Sequence, residues 1–102
     1  MPVTTKMTKR DAQKLLANVA EEYVFWNCDG RILRNMKELG ETLNSMTEET
    51  YAYHANTEKN DFSNWVRDII KDEQLAKDLG KALNRAQAVR SVAERVAFLS
   101  SR

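Results

Sequence analysis

The sequence predicts a mainly α-helical domain: a compact bundle of five to six short helices, with a short β-hairpin around Asp29-Gly30. Three observations carry that reading. Apolar residues recur at spacings of three and four along most of the chain, the period of a helix with one buried face. Proline occurs once, at Pro2, so no later segment is barred from helix by it. The 102 residues, 42% apolar and 30% charged, suit one globular domain and are too few for two.

Residues 1–7 read as a flexible N-terminal arm and residues 8–102 as a single helical domain. Thr8, with Asp11 three residues on, is a weak capping box. Ala12, Leu15, Leu16, Val19 and Ala20 then predict a first helix from about Lys9 to Glu21. Between Tyr23 and Asn35, aromatic and β-branched residues flank Asp29-Gly30, which suits a type I′ turn in a hairpin lying on the helices. The alternative continues the first helix to Trp26 and leaves a loop. Asn35 with Glu38 marks the start of a second helix, from about Met36 to Asn44, with Met36, Leu39 and Leu43 on one face. Gly40 inside it is either a small cost or a place where another backbone comes close.

Thr47-Glu48-Glu49 opens a short third helix carrying Tyr51, Tyr53 and His54, with acids where the helix dipole favours them. Asn56 to Asn60 is a polar loop. Asp61 is read as the cap of a fourth helix bearing Phe62, Trp65, Val66, Ile69 and Ile70, Asp72 as the start of a fifth with Leu75, Ala76 and Leu79. After an interruption at Gly80, the last helix runs from about Asn84 to Leu99.

Composition excludes several functions. One cysteine cannot form a disulfide scaffold within the chain, and one histidine excludes zinc sites that need two. Three dispersed glycines supply neither a dinucleotide fingerprint nor a phosphate loop. No uninterrupted apolar stretch is longer than that of Tyr23 to Trp26, far short of the ~18 residues of a membrane span. No apolar run follows the basic residues of the N-terminus, so no signal peptide is read there, and a cytoplasmic location is expected.

Charge is uneven beneath a net value of +1. Residues 1–20 hold four basic and one acidic side chain, residues 38–80 four and ten, and residues 81–102 five and one, so an acidic middle lies between two basic ends. Lys6, Lys9, Arg10, Lys14, Lys81, Arg85, Arg90 and Arg95 are therefore the candidate contacts to nucleic acid, if they share a surface.

His54, Asn60, Asp61, Phe62 and Trp65 form the motif His-x5-Asn-Asp-Phe-x-x-Trp. A His–Asp pair suits a general base. The simpler structural reading packs His54 between helices with one nitrogen hydrogen-bonded, Asp61 at a helix start and Asn60 in the turn before it. Cys28 is read as a half-buried structural thiol, because Asp29 beside it opposes a thiolate. Asp68 and Asp72, four apart, would be a solvated helix face before they would be a cation site. Leu75, Leu79, Ala82, Ala86, Val89, Ala93 and Val96 alternate by four and three, a heptad seam of small residues. Ala82, Ala86, Val89, Ala93 and Val96 are the candidate self-association residues, unless the seam closes the domain's own core.

The segments Asp29-Gly30-Arg31-Ile32-Leu33-Arg34-Asn35-Met36-Lys37-Glu38-Leu39, Met46-Thr47-Glu48-Glu49-Thr50-Tyr51-Ala52-Tyr53-His54 and Asn60 to Ala76 together resemble a prokaryotic, largely archaeal family of small domains of unknown function. The resemblance covers about residues 23–80. It implies one compact domain with an accessory role, and it carries over no catalytic residue.

The function expected is a non-enzymatic interaction or accessory module that binds a protein partner or itself, as a homodimer, through helix faces. The alternative is a nucleoid-type or RNA-associated protein using the basic ends. A small hydrolase or transferase centred on His54 and Asp61 ranks third. No catalytic residue, cofactor, metal, membrane or small-molecule substrate is assigned.

Overall fold

A computed structural model describes residues 8–101. The arm at 1–7, and Lys6 with it, lies outside the described residues. The order is α1 (Lys9–Leu16), β1 (Phe25–Trp26), β2 (Ile32–Leu33), α2 (Met36–Ser45), α3 (Glu48–His54), α4 (Asp61–Trp65), α5 (Glu73–Lys81) and α6 (Arg85–Ser100). A single 3-10 turn occupies Glu21–Tyr23, and a π-helical turn occupies Val66–Ile70.

Every α-helix begins on a side chain that accepts a hydrogen bond from the first turn. Thr8 accepts from Asp11 N at 3.0 Å, Asn35 from Glu38 N at 2.8 Å and Thr47 from Thr50 N at 3.0 Å. Asn60 accepts from Ser63 N at 3.0 Å, Asp72 from Leu75 N at 3.2 Å and Asn84 from Gln87 N at 2.9 Å. Such caps contribute about 0.5–2 kcal/mol each and fix where these short helices start.

Several boundaries differ from those the sequence predicts. α1 stops at Leu16, not Glu21, and Ala17 is already extended. The reason is long-range: Val19 N–H donates to Arg34 C=O at 2.8 Å, drawing the chain alongside the exit of β2. α4 is capped by Asn60 and not by Asp61. Asn60 has the extended backbone of a cap, whereas Asp61 is already helical and its carboxylate is engaged elsewhere. The expected continuous fourth helix ends at Trp65 and widens into the π turn. There Lys71 N–H and Asp72 N–H both donate to Val66 C=O, at 2.8 and 3.1 Å, and Lys71 takes φ +75. Gly80 does not interrupt α5, which runs to Lys81; the break falls at Ala82–Asn84.

The hairpin is present, antiparallel, with Phe25 opposite Leu33 and Trp26 opposite Ile32. Its turn is not type I′, which needs positive φ at two central residues. Only Gly30 has it, at φ +97. Gly30 N–H donates to Asn27 C=O, and Asn27 N–H to Arg31 C=O, both at 2.9 Å. This is a three-residue loop with a glycine bulge. Strand alternation sends Phe25 into the core and leaves Trp26 68% exposed.

The core gathers Met36, Leu39 and Leu43 of α2, Phe62, Trp65, Val66 and Ile70, Leu75 and Leu79 of α5, and Val92 and Leu99 of α6, with Phe25 and Leu33 from the hairpin. The most extensive helix contact is α2 with α6. These two run antiparallel: Arg85 at the start of α6 donates to the carbonyls of Leu43 and Asn44 at the end of α2, at 2.8 and 3.1 Å. Further along, a Cβ added at Gly40 would lie 3.0 Å from a γ-methyl of Val92. Gly40 is therefore a point of close approach between helices. The radius of gyration of 13.3 Å matches a fully collapsed chain of this length. Among the described residues, no helix is long and apolar enough to cross a membrane.

Candidate functional site

The histidine motif folds into one buried cluster. His54, the last residue of α3, is 6% exposed. Its Nδ1 lies 2.9 Å from Asp61 Oδ2, and its Nε2 accepts the Cys28 N–H at 3.0 Å. Because a backbone N–H occupies Nε2, the proton of the neutral ring sits on Nδ1 and is donated to Asp61. The ring packs against Phe25 and Phe62, with centroids 5.1 and 5.2 Å away. Trp65 Nε1–H donates to Tyr23 C=O at 2.8 Å, and Asn60 Nδ2 donates to Leu79 C=O at 3.1 Å. The motif thus ties the hairpin, α3, α4 and α5 together.

Both ring nitrogens are engaged inside the fold, one more than the structural reading supposes. In this arrangement neither ring nitrogen faces an open cleft, and both are hydrogen-bonded within the fold. Burial alone would raise the Asp61 carboxyl, but hydrogen bonds from His54 and Lys59 outweigh it and hold the group below its ordinary value. Cys28 is exposed at the hairpin turn, not half-buried, because the turn projects beyond the core. Asp29 beside it is held far below the carboxylate range, chiefly by hydrogen bonds from Arg31. Asp68 and Asp72 do not share a helix face. Asp68 pairs with Arg67 in the π turn, and Asp72 caps α5. Among the described residues, no group of three His, Cys, Asp or Glu side chains is placed to hold a metal.

The candidate nucleic-acid residues divide into two sets. Arg95 forms a two-pronged pair with Asp72, which is 2% exposed, at 2.8 and 3.0 Å. Arg85 caps the carbonyl end of α2 and pairs with Glu48 at 2.7 Å. Both therefore act inside the fold. Lys9, Arg10, Lys14, Lys81 and Arg90 are exposed.

The heptad seam also divides. Leu75 and Leu79 are buried in the core and Ala82 is half-buried against it. Along α6, however, the stripe that closes the core is Ala88, Val92 and Leu99. The seam residues lie to one side of that stripe: Ala86 and Ala93 are exposed, while Val89 and Val96 are half-buried and pack against the domain's own core. Val89, Val92, Ala93, Val96 and Ala97 line a shallow apolar groove of about 480 Å³ with Lys37, Gly40, Glu41 and Asn44 of α2 opposite.

The α2 wall of this groove is what sequence reasoning misses. The available signal is Gly40, whose missing side chain lets α6 sit close and leaves the groove beside it. No protein-family model matches the chain, and comparison with curated proteins and with solved structures finds no match either.

Proposed function

We propose that this protein is a non-enzymatic interaction module that pairs with a second copy of itself through the open side of α6. One observation carries the reading. The 3–4 alternation of α6 contains two stripes: the core buries Ala88, Val92 and Leu99, whereas of the seam Val89 and Val96 are only partly buried against that core and Ala86 and Ala93 are exposed. Small residues let helices approach closely, and a two-fold axis lets one surface serve both partners. Lys37, Glu41, Arg90 and Glu94 supply two charges of each sign on these two helices and are in no ion pair among the described residues. A second copy therefore brings an opposite charge for each. The resemblance to small accessory domains implies the same kind of role.

Light scattering at rising concentration tests the proposal. The expected mass is twice that of the 11.8 kDa chain. Ala93→Glu should return it to the single-chain value without loss of fold, because Ala93 is exposed. A single-chain mass at high concentration would overturn the reading. A second reading, nucleic-acid binding, rests on the five exposed basic residues. Retardation of DNA or RNA that falls steeply with salt would favour it.

A further inference from the structure

We propose that His54 is a proton-operated latch on the hairpin: the neutral ring holds the turn by the Cys28 N–H, and protonation at Nε2 releases it. The geometry distinguishes two states. With the Nδ1 proton donated to Asp61, the Nε2 lone pair is the acceptor of the Cys28 N–H among the described residues, at 3.0 Å. A proton added at Nε2 sets two donors against each other at that distance. The turn must then withdraw, because the ring is fixed by α3 and packed between Phe25 and Phe62.

Charged and polar groups face the ring from three sides. From α4 the Asp61 carboxylate meets Nδ1 at 2.9 Å, and Lys59, in the loop before α4, lies 3.0 Å from the same carboxylate oxygen. From α3, Tyr53 meets the ring edge to face at 5.0 Å. From the hairpin comes the Cys28 N–H, and the Asp29 carboxylate next along the chain is committed to Arg31.

A second feature lowers the cost of release. Asn27, the residue before Cys28, is 4% exposed, and neither its Oδ1 nor its Nδ2 has a hydrogen-bond partner among the described residues. Its amide comes near the Asp29 carboxylate without the geometry of a hydrogen bond. A buried amide without partners is unfavourable, and withdrawal of the turn lets water reach it. Release stays local, because Phe25 and Leu33 remain in the core and Arg31 Nη1 holds Ser45 Oγ at 2.5 Å.

The test is nitrogen and proton NMR of the full chain across about pH 8 to 5, the range in which imidazoles titrate. At the high end, the ring should be the Nδ1–H tautomer, with a through-bond coupling from Cys28 N to Nε2. As the ring gains its proton, that coupling should vanish. Exchange of the Cys28 amide, corrected for its intrinsic rate, should rise about tenfold with the same midpoint, the equivalent of one lost hydrogen bond. His54→Gln keeps an acceptor that cannot titrate, and should hold Cys28 protection constant with pH. Should that variant not fold, the wild-type titration decides alone. An Nε2–H tautomer at high pH, a ring that stays neutral to pH 5, or a Cys28 amide indifferent to ring protonation would each overturn the proposal.

Discussion

Replacing Arg95 by methionine separates an internal role from a surface role for this residue. Methionine keeps the apolar stem and deletes the guanidinium, so Asp72 loses both hydrogen bonds from Arg95 while remaining 2% exposed. Removing one partner of a buried pair costs about 3–5 kcal/mol. Asp72 keeps one bond, from Leu75 N at 3.2 Å, which places the loss near the lower end, about 3 kcal/mol. The guanidinium also lies 5.3 Å from the Phe98 ring centre, a cation–π contact of about 0.5–1 kcal/mol. The sum is about 3–4 kcal/mol, or roughly 15–25 °C in Tm for a domain of this size. Urea unfolding measures it. Adding Asp72→Asn removes the stranded charge and keeps a good cap, so the double variant should regain about 2 kcal/mol over Arg95→Met. A cost below about 1 kcal/mol for Arg95→Met, or no recovery in the double variant, would refute the reasoning.

Asn60→Ala should cost about 2 kcal/mol against about 1 kcal/mol for Asn84→Ala, because Asn60 both caps α4 and donates to Leu79 C=O; paired urea melts give the order. Asp61 is depressed in the folded state, so its stabilisation is full above the unfolded carboxylate value of about 4 and is lost as pH falls through the lower folded value. The stability gap between wild type and Asp61→Asn should therefore close in acid, and melts from neutral pH to pH 2 check it. Gly40→Ala should gain about 1 kcal/mol of helix propensity but lose more to Val92, whose stiff branched side chain is fully buried 3.0 Å from the new carbon; the expected net is a loss of about 1 kcal/mol by urea unfolding.

Helix starts were the most legible part of this chain. Thr8, Asn35, Thr47, Asp72 and Asn84 are short polar side chains immediately before an apolar period, and each bonds a backbone N–H three residues on. At Asn60-Asp61 two such residues are adjacent, and only the partner of Asp61 separates their roles. Gly40 signalled close approach, although its neighbour is a side chain and not a backbone. The helix ends at Leu16 and Lys81 and the π turn after Trp65 had no comparable local mark.

The sequence by itself determined the helical class, the hairpin's place and the caps of every α-helix but α4, because these follow from interactions within a few residues: periodicity, turn chemistry and first-turn hydrogen bonds. Tertiary structure decided everything that depends on partners distant in the chain. Val19 meets Arg34, Cys28 meets His54, Arg85 meets Glu48, and Arg95 meets Asp72, 23 residues away. It also decided which of two stripes on α6 closes the core, since periods of 3.5 and 3.6 hardly diverge over three turns. A basic residue or an apolar seam looks the same in sequence whether it faces solvent or is spent within the fold; the packing of α2 and α5 against α6 made that assignment.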